Sequence, residues 1–145
     1  MFNTPLSPLR RLLLAGISLL AGGLVSLSAD QPRAQEKVNF EGKWDGKYEP
    51  SQGKPGEGKY EFHKEKDGQW EVTVTWVEGK ETRMMKLKGE RLGPDALRLT
   101  GKAGETTYYY IGRMEGGAVV FHYLSIDGKT GKSGSGVSRL KRPKE

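Results

Sequence analysis

The sequence predicts an all-β domain in which eight antiparallel strands form an up-and-down meander that closes into a small barrel. The first observation is a period of two in the apolar residues, clearest where Trp70, Val72, Val74 and Trp76 alternate with polar residues. The second is the spacing of turn signals, with 21 glycines among 145 residues separating the short alternating segments. After the N-terminal leader no segment keeps a 3.6-residue apolar period, so helices are not expected.

The N-terminus has the pattern of an export signal. Arg10 and Arg11 provide a basic region, residues 12–27 are almost entirely apolar, and small residues follow. We therefore predict a signal peptide at residues 1–29, a flexible spacer at residues 30–39, and a periplasmic or extracellular location. A retained signal anchor is the alternative, although the apolar run is shorter than the span of about 20 residues that crosses a membrane.

The first half of the predicted domain contains four strands. Tyr60 and Phe62 share one face of the second strand, and Met85 and Leu87 are expected to point inward from the fourth. The pair at positions 67–68, Asp-Gly, is a strong hairpin signal between the second and third strands. The four predicted strands span residues 42–49, 58–64, 69–77 and 82–88.

The second half contains four more strands. Leu97 and Leu99 point to one side of the fifth strand. In the sixth strand Tyr108 and Tyr110 share a face, whereas Tyr109 points the opposite way. The predicted strands span residues 96–100, 106–114, 119–125 and 135–141.

Closure of the meander follows from its exposed edges. An open row of antiparallel strands leaves two edges unpaired, and eight strands suffice to close a barrel whose interior is filled by side chains or holds one small ligand. A two-sheet β-sandwich is the alternative closure. The chain has no cysteine and therefore no disulfide, so its stability must come from the core and the closed sheet. We place the barrel domain at residues 40–142 and a basic C-terminal tail at residues 143–145.

The start of the first strand and the end of the last carry a resemblance. Gly42-x-Trp44, followed by an eight-stranded meander with a basic residue on its last strand, resembles the calycin superfamily of lipocalins, fatty-acid-binding proteins and avidins. In those families the Trp closes one end of the barrel and an Arg from the last strand packs across it. The resemblance implies Gly42, Trp44 and Arg139 as the closure, with Arg142 as the competing choice. The chain departs from lipocalins because it has no disulfide and no helix pattern after the last strand.

Aromatic residues dominate the predicted inward faces. Apolar walls with a few hydroxyl groups are typical of small-ligand sites, and tyrosine combines a packing ring with a hydrogen-bonding group. The sequence therefore predicts a non-enzymatic barrel that binds a small apolar or aromatic ligand in its interior. The alternative is that these rings simply fill the barrel. The predicted ligand-binding residues are Tyr48, Tyr60, Phe62, Trp70, Trp76, Tyr108, Tyr110, Phe121 and Tyr123.

The C-terminal part of the chain is basic. Its charge suggests contact with an anionic surface, although a solvated tail is the simpler reading. With a filled barrel, this feature favours an interaction module that docks on an anionic envelope component or partner protein through its outer face and basic C-terminus. The residues concerned are Lys129, Lys132, Lys141, Arg142 and Lys144.

Other chemistries find little support in the sequence. A metal site would need both histidines, His63 and His122, together with carboxylates, and His63 is expected to face solvent. Residues 128–133 superficially resemble a phosphate loop, but Ile126 stands where a glycine is required and no helix pattern follows, so we predict a connecting loop. Nucleic-acid binding by an OB-like barrel would need five strands rather than eight. No cofactor and no metal are expected.

Overall fold

Eight antiparallel strands follow one another around a closed barrel in the computed structural model, which describes residues 36–145. Each strand pairs with the next, and β8 pairs with β1, so the sheet has no free edge. The predicted fold class is confirmed and the sandwich alternative is excluded. The strands are β1 Gly42–Pro50, β2 Gly56–Lys64, β3 Trp70–Glu78, β4 Glu81–Arg91, β5 Ala96–Ala103, β6 Thr106–Glu115, β7 Ala118–Asp127 and β8 Ser133–Lys141.

The predicted signal peptide at residues 1–29 lies outside the described residues, as do residues 30–35 of the predicted spacer. At the other end of the spacer, the backbone N–H of Val38 donates to the carbonyl of Pro94 at 2.8 Å, in the turn between β4 and β5. Within residues 36–145 no helix is long and apolar enough to cross a membrane.

The sheet curves into a barrel where glycines replace inward side chains. A Cβ on Gly89 of β4 would lie 1.7 Å from the carbonyl oxygen of Arg98, and one on Gly101 of β5 would lie 2.2 Å from that of Lys86. No side chain fits at such distances. The backbones of β4 and β5 therefore approach each other closely where Gly89 pairs with Leu99 and where Gly101 pairs with Leu87. Glycines at inward positions allow the sharp bends that closure of a small barrel requires.

One end of the barrel is filled by aromatic rings. Phe40 stacks on Phe62 with ring centroids 6.4 Å apart, and Phe62 stacks on Phe121 at 6.3 Å. Trp70 meets Phe40 edge to face at 6.1 Å. These residues and Trp44 are all buried, so this end, which we call the closed end, is a packed core with no room for a ligand.

Trp44 and Arg142 join the first strand to the end of the last. The guanidinium of Arg142 lies 3.9 Å from the centroid of the Trp44 ring, a favourable cation–π contact. The same guanidinium donates to the carbonyl of Glu41 at 2.7 Å and to that of Asn39 at 3.2 Å. Gly42 is required beside it because its φ is +102° and a Cβ there would lie 3.0 Å from the arginine.

The prediction that Arg139 packs across Trp44 is wrong, and the competing choice, Arg142, makes the contact. Ser138 and Leu140 are buried inside the barrel, so Arg139 between them points outward. Arg142 lies two residues beyond Leu140 and therefore continues the inward face past the end of β8. Because Leu140 pairs with Gly46 and Lys141 with Asp45, the same antiparallel register carried one residue further places Arg142 directly opposite Trp44 at the closed end.

Arg91, which sequence reasoning did not single out, makes a second contact of the same kind. Its guanidinium lies 5.1 Å from the ring centroid of Phe40 and 5.9 Å from that of Trp70. It also donates to the carbonyls of Pro94 at 2.6 Å and Val38 at 2.8 Å. The chain entering β1 is therefore held from two sides, by an arginine from the end of β4 and one that follows β8.

Substitution of the closing arginine separates the two candidates for this role. Arg142→Gln should lower the free energy of unfolding by about 2 kcal/mol, because it removes a cation–π contact and charged hydrogen bonds to two carbonyls. Arg139→Gln, the matched control on the outer face, should cost less than about 0.5 kcal/mol. Urea unfolding of both variants measures the difference. Equal losses would contradict the assignment of Arg142 to the closure.

Candidate functional site

A cavity of about 110 Å³ occupies the end of the barrel opposite Trp44, which we call the open end. The turns that follow β1, β3, β5 and β7 lie at this end. Tyr48, Tyr108 and Tyr123 are half-buried and stand at its mouth, whereas Tyr60 and Tyr110 are buried deeper. The lining residues are Tyr48, Gly58, Tyr60, Val74, Trp76, Met85, Tyr108, Tyr110 and Tyr123.

Six of the nine predicted ligand-binding residues line this cavity, namely Tyr48, Tyr60, Trp76, Tyr108, Tyr110 and Tyr123. The other three, Phe62, Trp70 and Phe121, belong to the packed core of the closed end. Sequence reasoning missed three lining residues, Gly58, Val74 and Met85. Val74 could have been found, because it shares the inward face of β3 with Trp76, and Met85 is its partner on β4.

The barrel is therefore filled at one end and hollow at the other. The interpretation that the aromatic residues fill the interior describes the closed end, and the interpretation that they line a cavity describes the open end. The cavity of about 110 Å³ is below the range of about 300–1,000 Å³ that is typical of sites for drug-sized ligands. The packed rings of Phe40, Phe62 and Phe121 take the rest of the interior. A molecule bound here must be small or must protrude from the mouth.

Two glycines on neighbouring strands make room for the tyrosine hydroxyls at the mouth. Tyr48 faces Gly56 across β1 and β2, and a Cβ on Gly56 would lie 2.1 Å from its hydroxyl oxygen. Tyr123 faces Gly136 across β7 and β8, where the corresponding distance is 2.5 Å. The two rings thus lie over bare backbone. Any larger residue at either glycine would displace the ring from the wall of the cavity.

The deeper tyrosines form a small polar network. The hydroxyl of Tyr60 donates to Oγ of Ser138, a buried polar residue of the barrel interior, at 3.4 Å. Tyr110, which is also buried, lines the cavity together with Tyr60. Its ring lies 6.4 Å from that of Tyr108 and 5.5 Å from that of Tyr123, measured between centroids. The floor of the cavity is consequently a set of contacting phenol rings held by a buried serine.

Burial keeps these phenols neutral. It raises the pKa of Tyr60 to about 12, and it also raises the pKa of Tyr110. The pKa of Tyr108 is raised by burial and, to a smaller extent, by the negative charge of Glu78, and burial raises the pKa of Tyr123. At neutral pH the hydroxyls therefore act as hydrogen-bonding groups and not as anions.

The mouth is bordered by a charged cluster on the β3–β4 hairpin. Arg83 Nε lies 3.3 Å from a carboxylate oxygen of Glu78, and its guanidinium lies 3.1 Å from a carboxylate oxygen of Glu81. Arg83 is the cross-strand partner of Trp76, which lines the cavity. Two carboxylates surround one guanidinium, so the local charge of this cluster is negative. All three side chains are largely exposed, so each individual ion pair contributes little to stability.

The basic residues of the C-terminal region lie at both ends of the barrel. Lys129 and Lys132 are in the turn before β8 at the open end, whereas Lys141, Arg142 and Lys144 are at the closed end. A strand of this length separates the groups by about 26 Å, at about 3.3 Å per residue. They do not form one compact patch, and the guanidinium of Arg142 is already engaged by Trp44.

Residues 128–132 connect β7 to β8 as a loop, as predicted, and Ser133 already begins β8. Oδ1 of Asp127 accepts hydrogen bonds from the backbone N–H groups of Thr130 and Lys129, each at 2.8 Å. These bonds lower the pKa of Asp127. The loop is thus ordered by its own aspartate. Elsewhere, His63 and His122 both lie on exposed positions, and no three potential metal ligands cluster within residues 36–145.

No protein-family model matches the chain, and no curated protein is significantly similar to it in sequence. Similar folds occur among solved structures. A redesigned β-barrel has a TM-score of 0.62 at 15% identity, covering 72% of this chain and 91% of that one. EF1p2_mFAP2b bound to DFHBI has a TM-score of 0.62 at 13% identity, covering 71% and 93%. The redesigned β-barrel mFAP1 bound to DFHBI has a TM-score of 0.60 at 12% identity, covering 70% and 94%.

At such low identity these likenesses concern the fold alone. They agree with a closed eight-stranded barrel, and two of the three structures hold a small aromatic dye. Membership of the calycin superfamily stays a prediction that rests on Gly42, Trp44 and the closing arginine.

The buried tyrosines predict a loss of stability at high pH. Below pH 10 the phenols are neutral in both states, so their contribution is constant. Above pH 10 the unfolded chain releases protons that Tyr60 and Tyr110 retain in the folded barrel. Stability should therefore fall by about 1.4 kcal/mol per pH unit for each tyrosine between pH 10 and 12.

Urea unfolding at intervals from pH 9 to 12 measures this slope. Tyr60→Phe removes one of the tyrosines whose pKa is raised and should make the slope shallower by about 1.4 kcal/mol per pH unit, whatever its effect on stability at pH 9. An unchanged slope in this variant would show that Tyr60 titrates alike in the folded and unfolded states.

Proposed function

We propose that the protein is an exported, non-enzymatic barrel that binds a small apolar or aromatic molecule at its open end. The observation that carries this proposal is the division of the interior. One end is packed solid by aromatic rings, while five tyrosines and a tryptophan surround a cavity at the other. Filling the whole interior would have stabilised the fold more than leaving a cavity, so the cavity is best explained by a ligand.

Three further features support parts of the proposal. The apolar leader after Arg10 and Arg11 supports export. The barrels that resemble this chain in fold include two bound to DFHBI, so a barrel of this size can hold a small aromatic molecule. The nine residues that line the cavity supply no carboxylate, imidazole, amine or thiol as a nucleophile or general base, and this supports a non-enzymatic role.

An interaction module remains the second candidate, and one observation favours it. Four large apolar residues are exposed on the outer face of β6 and β7, namely Tyr109, Ile111, Leu124 and Ile126. Tyr109 and Leu124 are direct cross-strand partners, so these side chains form a continuous strip. Exposed apolar strips are typical of protein contact surfaces. The basic residues add less to this candidate than the sequence suggested, because they are divided between the two ends.

A cavity-filling substitution tests the interior site. Val74 lines the cavity and Val77, on the same strand, is exposed on the outer face. Val74→Phe should weaken binding of the probe p-cresol at least tenfold, because the larger ring occupies the cavity. Val77→Phe makes the same chemical change outside the barrel and should leave binding within twofold of the parent.

Titration calorimetry supplies the affinities, and the part of the tryptophan fluorescence that is quenched on binding reports on Trp76, the one of the three tryptophans that lines the cavity. Thermal unfolding checks that both variants fold, and Gly58→Ala, a smaller intrusion into the same wall, serves if Val74→Phe does not. A folded parent protein that binds neither p-cresol nor toluene at millimolar concentration would contradict the proposal and favour the interaction module.

A further inference from the structure

The cavity at the open end carries enough chemistry to define the class of molecule that fits it. None of its nine lining residues has a charged side chain, and five of them present a phenol hydroxyl. Resting on the proposed function, we infer that the ligand is an uncharged molecule with a single aromatic ring and a hydrogen-bond acceptor such as a carbonyl oxygen. The size of the cavity limits the ligand to one ring, the charges around it favour a neutral molecule, and the hydroxyl groups at its mouth favour a hydrogen-bond acceptor.

The size of the cavity limits the ligand to one ring. An apolar protein cavity of about 150 Å³ is known to hold benzene. The volume here is about 110 Å³, and the half-buried rings of Tyr48, Tyr108 and Tyr123 leave it accessible from the mouth. A single ring can enter with its substituent towards solvent. A second fused ring would have to protrude from the mouth into solvent, unless the packed floor formed by Tyr60 and Tyr110 moved.

The surroundings of the cavity disfavour an anion. The carboxylate of Glu78 is close enough to raise the pKa of Tyr108, and a bound anion would experience the same repulsion. The cation nearest to Glu78 is Arg83, and its guanidinium is shared between Glu78 and Glu81. A carboxylate or phenolate in the cavity would therefore lose its hydration and meet no free positive charge from the lining residues.

A cation would be disfavoured for a different reason. Aromatic rings attract cations through their faces, and a cage of tyrosines is a known way to bind an ammonium group. That attraction is outweighed when the ion loses its water without a buried counter-charge. Glu78 and Glu81 are largely exposed and border the cavity without lining it, so their attraction for a cation does not replace a buried counter-charge. A neutral ligand avoids this loss.

Three tyrosine hydroxyl groups at the mouth of the cavity can donate hydrogen bonds to an acceptor on the ligand. The Tyr60 hydroxyl donates to Ser138 and is therefore already engaged. For Tyr48, Tyr108 and Tyr123, residues 36–145 offer no hydrogen-bond partner to the hydroxyl. Since no buried side-chain polar atom in the same part of the chain lacks a partner, these three hydroxyls are not fully buried and reach open space. A carbonyl oxygen of a bound ligand could accept from them.

Five probes of related shape test charge, acceptor and size separately. Acetophenone, cumene, benzoate and benzamidinium all carry a phenyl ring with a small branched substituent, and 2-acetonaphthone adds a second ring. We expect acetophenone to bind at least tenfold more tightly than benzoate and benzamidinium, and at least threefold more tightly than cumene. 2-Acetonaphthone should bind no more tightly than acetophenone, because its second ring gains no contact inside the cavity. Titration calorimetry of the full chain at pH 7.5 gives all five affinities.

Single Tyr→Phe substitutions at positions 48, 108 and 123 test the hydroxyls, because each keeps its ring. At least one should reduce the acetophenone affinity threefold or more while leaving that of cumene unchanged. Tyr109→Phe, an outward tyrosine on the same strand as Tyr108, is the matched control and should change neither affinity.

The outcomes separate this inference from the proposed function on which it rests. Equal binding of cumene and acetophenone, tighter binding of either charged probe, or tighter binding of the naphthalene would overturn the inference while leaving an interior ligand site intact. Failure of all five probes to bind the folded protein would overturn both.

Discussion

The contact between Trp44 and Arg142 is the constraint on which the rest of the barrel depends. A row of eight strands stays open unless its first and last members are joined. The pairing of β1 with β8 joins them, and this contact adds a side-chain tie between the start of β1 and the residue that follows β8. The same guanidinium binds backbone carbonyls of the segment that enters β1, so strand pairing and the plug of the closed end are fixed together. In a chain without cysteine, this arrangement takes the place of a covalent link.

Closing one end firmly allows the other end to remain hollow. Phe40, Phe62 and Phe121 stack through the closed half and supply most of the apolar packing there. The open half is lined by tyrosines, whose rings continue the packing while their hydroxyls face a small space. A cavity lowers stability, and the dense aromatic core offsets that loss. On β1, β2 and β7 the inward face changes from tryptophan or phenylalanine at the closed end to tyrosine at the open end.

Much of this fold could be predicted because period-two alternation decides which side chains point inward. The eight strands, the inward Met85 and Leu87, and six of the cavity residues follow from it. The same rule identifies Arg142 rather than Arg139, since Leu140 is an inward residue and Arg142 shares its parity. Which aromatic residues fill the core and which line the cavity could not be predicted, because that depends on the stagger between strands. Arg91 was missed because it contacts Phe40 across the barrel, without any local sequence signal.

A double-mutant cycle on Trp44 and Arg142 tests the central claim most directly. Trp44→Leu, Arg142→Gln and the double variant are compared with the parent protein by urea unfolding. We expect the sum of the two single losses in free energy of unfolding to exceed the loss in the double variant by about 1–2 kcal/mol. This difference is the energy of the contact, which each single substitution already removes. The pair Trp70→Leu and Arg142→Gln is the control, since Trp70 contacts Arg91 instead. Additivity within about 0.3 kcal/mol for Trp44 and Arg142 would contradict a closure that depends on their contact.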